Sequence, residues 1–251
     1  MSLEGRHALV TGGGTGIGLA IARALAGAGA QVTITGRRTT VLEQAGDIHG
    51  LTPVMMDVTV EASITNAIQA ATRRNGPITI CVANAGIAEG RALHKTELSF
   101  WRRVMATNLD GAFLTIRDCL PGMRAGGWGR VIAVSSVAGL RGLKGAPAYT
   151  ASKHGVIGLI RALSEDYLGT GITFNALCPG YTDTDIVLQN SESIARRAGI
   201  TPEEARALMT GANRHGRLIA PEEVAAAALW LCSPGSDSVN GQAIEIAGGQ
   251  A

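Results

Sequence analysis

Two side chains four positions apart, Tyr149 and Lys153 in Tyr149-Thr150-Ala151-Ser152-Lys153, stand on one face of any helix that carries them. The chemistry open to such a pair is proton transfer. A free phenol, with a pKa of ~10, is a poor base at neutral pH, and positive charge beside it stabilises the phenolate. The same spacing occurs on solvated helices, so the pair needs a setting. A second cluster offers one: Gly12, Gly13, Gly14, Gly16 and Gly18 in Leu9-Val10-Thr11-Gly12-Gly13-Gly14-Thr15-Gly16-Ile17-Gly18. There an apolar run passes through a glycine turn into the alanine-rich Leu19-Ala20-Ile21-Ala22-Arg23-Ala24-Leu25-Ala26, the pattern of strand, turn and helix. Such a turn lets a ligand approach the main chain closely, and the free N–H groups and dipole of the helix start favour a phosphate. A tight turn with no ligand has the same composition. The spacing is G-x-x-x-G-x-G, not G-x-G-x-x-G, because position 17 is Ile17.

The elements that must position these groups follow from the alternation of short apolar runs with helical stretches across 251 residues. No linker or block of like charge interrupts it, so one α/β domain over 1–251 is expected, with a sizeable core. Beyond the first strand, runs at Gln31–Thr35, Pro53–Met56, Ile78–Ala83, Arg130–Val134, Ile172–Leu177 and Ala243–Ile246 read as strands. Helices are expected from Leu98 to Cys119, from Tyr149 to about Tyr167 and from Pro221 to Leu231. The strands end in Arg37-Arg38, Asp57-Val58, Asn84-Ala85-Gly86, Ser135-Ser136 and Cys178-Pro179-Gly180. In an open parallel sheet ligands bind outside the carboxyl ends of the strands, so these ends belong to one crevice. Asn108 in mid-helix is unfavourable unless its side chain or carbonyl is used. The polar stretch from Tyr181 to about Arg214, with a helix start at Thr201-Pro202-Glu203-Glu204, is long enough to read as a lid over about 181–214.

Where an acidic residue would hold the ribose 2'-hydroxyl of NAD, the second strand offers Gly36 and then Arg37 and Arg38. A guanidinium suits a 2'-phosphate, which favours NADP(H) over NAD(H); the alternative is two surface charges of a loop. Asp57 is placed to accept from an adenine amino group or, alternatively, to cap a helix starting near Glu61. A net charge of +2 gives no nucleic-acid footprint. No run reaches the ~20 apolar residues of a membrane span. Cys81, Cys119, Cys178 and Cys232 lie singly in apolar surroundings, and Met1–His7 carries no apolar signal region, so a reducing cytoplasm is expected. His7, His49, His94, His154 and His215 show no ligand spacing, and no catalytic metal is expected.

Thr11-Gly12-x-x-x-Gly16-x-Gly18, Asp57, Asn84-Ala85-Gly86, Asn108, Ser136, Tyr149-x-x-x-Lys153 and Pro179-Gly180-x-x-x-Thr184, in this order and spacing, resemble the short-chain dehydrogenase/reductase family over essentially the whole chain. The resemblance implies a single-domain Rossmann fold, a seven-stranded parallel sheet with helices on both faces. It implies a catalytic tetrad of Asn108, Ser136, Tyr149 and Lys153. It also implies a nicotinamide cofactor held by Gly12, Gly14, Thr15, Gly16, Ile17, Gly18, Arg37, Asp57, Val58, Asn84, Ala85, Gly86, Tyr149, Lys153, Pro179, Gly180, Thr182 and Thr184. In this scheme Tyr149 exchanges a proton with the reacting oxygen, and Lys153 with the oxidised nicotinamide lowers its pKa. Ser136 bonds the substrate oxygen, Lys153 also binds the ribose, and Asn108 holds a water linking Lys153 to solvent.

The activity implied is NAD(P)(H)-dependent interconversion of a ketone and a secondary alcohol. Substrate contacts fall to Ser136, Ala138, Leu143, Tyr149 and Tyr181, and with Val137 and Leu140 this lining suits an apolar acyl or aryl group. Relatives that act on free 3-hydroxybutyrate hold its carboxylate with Gln, His and Lys, where this chain has Ala88, Ala138 and Ala146, which argues against a small free acid. A 3-oxoacyl or 3-hydroxyacyl thioester of coenzyme A or a carrier protein is therefore favoured, its phosphates met by Arg91, Arg141, Lys144, Arg196 or Arg197, which are otherwise ordinary surface charges. The alternatives are a cyclic, aryl or sugar alcohol, and a nucleotide-binding regulator without chemistry; the intact tetrad argues against the last. No nucleic acid or membrane partner is expected. The resemblance implies a homotetramer, for which Ala106, Gly111, Ala112, Gly155 and Gly158 would allow close packing of subunits, although core packing can use the same residues.

Overall fold

Strand β1 (His7–Thr11) is buried along its whole length and sends alternate side chains to opposite faces of a sheet, Ala8 and Val10 to one and Leu9 to the other. The computed structural model describes residues 2–249, with the side chains of Ile48, His49, Gln189, Ser193, Ile194 and Arg197 outside the description. Strands β2 (Gln31–Gly36), β3 (Thr52–Met55), β4 (Ile80–Ala83), β5 (Gly129–Val134), β6 (Ile172–Pro179) and β7 (Ala243–Ile246) join β1 in one seven-stranded sheet. All pairings are parallel, in the order β3-β2-β1-β4-β5-β6-β7. The chain moves outward from β1 to β3 and returns beside β1 as β4, so the crevice at this reversal lies between the ends of β1 and β4. Continuous burial of β5 and β6 requires cover on both faces. Helices α1 (Gly16–Gly27), α2 (Thr39–His49), α3 (Glu61–Asn75), α4 (Leu98–Met105), α5 (Gly111–Gly126), α6 (Pro147–Asp166), α7 (Asp185–Ala198), α8 (Pro202–Ala212) and α9 (Pro221–Leu231) follow in order. Ile21, Leu25 and Leu231 pack with Val10 and Ile34 on one face; Ile64, Ile116, Met123 and Ile160 pack with Leu9 and Phe174 on the other.

The single domain, the seven strands and the parallel sheet agree with the sequence reading, and several boundaries move. Helix α1 begins at Gly16, within the glycine run, where helix propensity argues against it. Strand β4 begins two residues later than the apolar run, while β6 continues through Pro179. Helix α2, in which Val41, Leu42, Ala45 and Ile48 recur at helical spacing, is missing from the reading of the sequence. The stretch from Leu98 onward is interrupted by a wider π turn at Ala106–Asp110, so Asn108 lies in a local widening of the helix. Thr201 caps α8: its hydroxyl accepts the Glu204 N–H at 3.1 Å and the Glu204 carboxylate accepts the Thr201 N–H at 2.8 Å.

Among the small residues expected to admit a second subunit, three serve this chain's own packing. A Cβ on Gly111 would stand 2.9 Å from Val58 Cβ, and one on Gly155 would stand 2.8 Å from Leu109 Cδ2. Ala112 is buried, whereas Gly158 faces open space.

At the other end of β1, His7 is buried, with Nδ1 2.8 Å from Gly76 O and Nε2 2.9 Å from Thr33 Oγ1. A carbonyl only accepts, so Nδ1 carries the proton and Nε2 accepts from the Thr33 hydroxyl, whose oxygen takes a bond from Asn75 Nδ2 at 3.2 Å. A proton on Nε2 would reverse its bond to Thr33 Oγ1, which would then accept from both His7 and Asn75 and leave its own hydroxyl proton to find another acceptor. Burial lowers the His7 pKa below its ordinary 6.5. The unfolded chain therefore binds more protons, and His7 contributes stability that is present above pH 6.5 and is lost as pH falls through the lowered folded value. Thermal melts between about pH 7 and about pH 5 should show a fall in Tm that is flatter in His7→Gln; parallel curves would defeat this assignment.

Candidate active site

The glycines of the first turn have separate tasks. Gly12 and Gly16, at φ +64° and +53°, take left-handed angles. Gly13 and Gly18 are needed for contact: a Cβ on Gly13 would lie 2.7 Å from Ile34 Cγ2, and one on Gly18 would lie 2.3 Å from Gly12 O and 2.5 Å from Asn84 Nδ2. The turn is pinned by Gly13 N–H to Thr35 O at 3.2 Å. From β4, Asn84 Nδ2 donates to Thr11 O at 2.8 Å, and Thr11 Oγ1 accepts the Asn84 and Ala85 N–H groups at 2.9 and 2.8 Å. Thr15, the N-cap of α1, makes no side-chain cap, and no acid stands in the first turn. A helix start with these features leaves its donors and its positive dipole end for an anion. The loop after β6 closes the cradle from above, since a Cβ on Gly16 would stand 3.1 Å from Thr184 Cγ2. These features fit the pyrophosphate of a dinucleotide.

Further along the crevice, Asp57 Oδ1 accepts from Thr59 N and Thr59 Oγ1 at 2.9 and 2.7 Å. The N-cap of α3 is Val60, so Asp57 does not cap that helix as the alternative reading had it. The Thr59 backbone bond is the main cause that holds the Asp57 carboxyl below its ordinary pKa, and the Arg37 guanidinium adds to it. Arg37 is exposed and lies within electrostatic range of Asp57. Val58 is buried behind Asp57 against Gly111.

The four expected tetrad residues come together at the ends of β4 and β5. Ser136 follows β5, and its Oγ accepts the Ala138 N–H at 3.1 Å, which turns the hydroxyl proton outward. It lies close enough to the Tyr149 phenol to oppose the rise in that group's pKa. Lys153 is buried on the same face of α6 as Tyr149; its Nζ donates to Val134 O at 2.8 Å and lies 5.8 Å from the centre of the Tyr149 ring. Asn108 Oδ1 accepts the Ile87 N–H at 2.8 Å, and Nδ2 donates to Ile87 O and Ser152 Oγ, each at 3.0 Å. Both amide hydrogens are thus committed to the protein. The Asn108 side chain is a brace between Ile87 and Ser152.

Ser152 and Ser135, which reading the sequence missed, complete the support. Ser152 Oγ donates to Tyr149 O at 2.7 Å and so ties Asn108 to the turn of helix that carries the phenol. Ser135 Oγ donates to Lys153 O at 3.0 Å, joining α6 to the end of β5. Ser152 could have been found from its position three residues after Tyr149. Ser135 carries no such signal.

This chain's own groups raise the Tyr149 pKa, whereas the lowering that the resemblance implies comes from Lys153 together with the oxidised nicotinamide. Tyr149 is half-buried overall, yet its phenol lies deep enough that burial dominates, with Ser136 opposing it. Burial also lowers Lys153, from 10.5 to about 8. At neutral pH the site therefore holds a protonated phenol beside a charged lysine.

On the substrate side, Ala138 and Ala146 are buried, Leu143 and Tyr181 are half-buried and Leu140 is exposed. Burial raises the Tyr181 phenol and the Arg141 charge opposes this, which places Arg141 near its ring. Among the other rim charges, Arg91 stacks over Phe100 at 4.3 Å, Lys144 and Arg196 are exposed, and the Arg197 side chain is outside the described residues. Among the described residues no group of three or more His, Cys, Asp or Glu side chains gathers at metal-binding range, and no helix is long and apolar enough to cross a membrane.

A family model described as short chain dehydrogenase matches residues 6–195. The chain belongs to this family, and is an NAD(P)-dependent oxidoreductase. It is 38% identical over 197 residues to a cis-4-hydroxycyclohexanecarboxylate dehydrogenase of Sinomonas cyclohexanicum, covering 78% of this chain and 75% of the relative. It is 36% identical over 194 residues to a D-beta-hydroxybutyrate dehydrogenase of Cupriavidus necator, covering 77% and 75%. A crystal structure of a variant actinorhodin polyketide ketoreductase with NADPH superposes with a TM-score of 0.95 at 34% identity, over 99% of this chain and 98% of that one.

Proposed function

We propose that this enzyme interconverts a 3-oxoacyl thioester and its 3-hydroxyacyl counterpart, with Tyr149 as acid and base. The observation that carries the reading is the cluster of the half-buried Ser136 and Tyr149 with the buried Lys153, beside a glycine cradle fit for a dinucleotide. The bound nicotinamide cofactor supplies or accepts the hydride. Ser136, its Oγ fixed by Ala138, donates a hydrogen bond to the substrate oxygen, keeping its own proton, and sets the carbonyl against Tyr149. As the carbonyl carbon gains a hydride, the Tyr149 O–H bond breaks and its proton passes to the oxygen, giving the alcohol; oxidation runs the same transfers backward. Lys153, charged at neutral pH, stabilises the phenolate left behind. Asn108, through Ser152, holds the main chain of Tyr149.

The apolar lining by Leu143 and Tyr181, the buried Ala138 and Ala146, and the likeness to a polyketide ketoreductase support a thioester over a free acid. A cyclic secondary alcohol is the second reading, favoured by the likeness to the hydroxycyclohexanecarboxylate dehydrogenase. Turnover over a panel of a 3-oxoacyl thioester, a cyclic ketone, an aryl ketone and a free 3-oxo acid, read by nicotinamide absorbance, tests this. Preference for the thioester supports the first reading and preference for the cyclic ketone the second. Turnover of none would leave the regulator.

In this reading residues 1–251 form one cofactor-binding domain, with about 181–214 as a lid and a homotetramer as the assembly. Four buried free thiols support a reducing cytoplasm. NADPH is the preferred cofactor, since Arg37 is exposed within electrostatic range of Asp57 and no acid stands at Gly36. Charge-assisted bonds of this kind are worth roughly 1.5–3 kcal/mol, or about tenfold or more in affinity. Arg37→Leu should lose that much affinity for NADPH and almost none for NADH in fluorescence titrations. Equal affinities of the parent for both cofactors would overturn the preference.

A further inference from the structure

Asn213 closes the stem of the segment over the site. It ends α8 and is 3% exposed, an amide hidden from water at the foot of two helices. Its Oδ1 accepts the Tyr181 N–H at 3.0 Å, and its Nδ2 donates to Tyr181 O at 2.8 Å and to Arg217 O at 2.7 Å. Both polar main-chain groups of Tyr181 are thus gripped by a side chain 32 residues away. Beside it the two legs of the segment pair as a short parallel ladder. Ile219 N donates to Tyr181 O at 2.9 Å, Asp183 N donates to Ile219 O at 2.8 Å, and Thr182 bridges Ile219. Gly180 makes room for the grip, because a Cβ there would stand 2.4 Å from Asn213 Oδ1. Among the described residues the Tyr181 N–H has no acceptor besides Asn213.

The residue so held reaches the reacting groups. Tyr181 is half-buried, and its phenol lies within electrostatic range of both Tyr149 and Arg141. A shift of its main chain would carry the ring away from the place where a ketone must lie. We propose that Asn213 is a positioning residue for the reaction, fixing the main chain of Tyr181 so that its ring forms the wall of the substrate site beside Tyr149. This rests on the ketone–alcohol reading above. An aspartate at 213 would keep an acceptor for the Tyr181 N–H but set a carboxylate against two carbonyl oxygens, so even this near-isostere should loosen the stem.

The full-length chain carrying Asn213→Ala or Asn213→Asp, with and without Tyr181→Ala, tests the proposal by two readouts. In amide hydrogen exchange, Asn213→Ala should speed exchange at Tyr181 by at least about tenfold while the amides of β5 keep their rates. In steady-state kinetics on the ketone that the parent reduces fastest, Asn213→Ala should raise KM by about tenfold with a smaller change in kcat. In the Tyr181→Ala background the same substitution should change KM by less than about twofold, because the residue through which it acts is gone. Asn213→Asp should fall between parent and Asn213→Ala, and it carries both readouts if the alanine variant does not fold. Unchanged exchange at Tyr181 would overturn the proposal. So would an equal rise in KM in both backgrounds, the pattern of a merely structural residue. A parent that reduces no ketone would defeat the ketone–alcohol reading, and the exchange readout would still decide the grip on Tyr181.

Discussion

Tyr149→Phe is expected to lower turnover by ~100- to ~10,000-fold while leaving cofactor affinity within about twofold of the parent. The ring and its packing survive in phenylalanine, and what is lost is the O–H beside Ser136. The half-buried phenol is raised by burial and so stays protonated at neutral pH, which suits it to give a proton to a carbonyl oxygen. The reverse reaction asks for the phenolate, so oxidation should gain more than reduction as pH is raised toward the Tyr149 pKa. Comparing both directions in parent and variant checks the assignment. Retention of a tenth or more of parent activity would remove Tyr149 from the role of acid.

Lys153→Met should be as damaging to turnover and, unlike Tyr149→Phe, should also weaken cofactor binding. Methionine matches the length of the side chain but removes the charge that stabilises the phenolate and the bond to Val134 O. An unsatisfied buried carbonyl costs roughly 1–3 kcal/mol. Removal of a buried charge works in the opposite direction, so the change in Tm at neutral pH should be small beside the loss of activity. A further signature separates the two terms. The Lys153 pKa is depressed from 10.5 to about 8, so between these values the unfolded chain binds more protons and the parent gains stability as pH rises. Lys153→Met should lack that gain in thermal melts across the same window. An identical slope would mean that Lys153 is not held as the structure has it.

The fold was legible because its signals are local and repeated. Continuous apolar runs such as Val131–Val134 mark strands covered on both faces, and Thr201 with Glu204 announces a helix start within four residues. Ser136 was legible as a strand end and Tyr149 with Lys153 as one helical face, while their grouping with Asn108 came from the family resemblance. What could not be read depends on contacts between distant segments. The π turn around Asn108 arises where that side chain reaches Ile87 and Ser152, and no nearby residue announces it. Gly13 looks like any other glycine of the turn until Ile34 is seen against it. The rise of the Tyr149 pKa could not be read either, because spacing reports proximity but not dehydration, and burial is the main cause.

The short ladder between Tyr181–Asp183 and Ile219 has a consequence for how the family can diversify. Because the two legs are joined below α7 and α8, the segment they carry is closed at its base without help from its tip. The entropy of closing such a loop grows only slowly with length, by about 0.6 kcal/mol for each doubling. Helices α7 and α8 therefore form a cassette: a longer, shorter or differently lined pair can be spliced between the same legs at little expense to the sheet. Selection for a new substrate can then act on the cassette while Ser136, Tyr149 and Lys153 keep their places on β5 and α6.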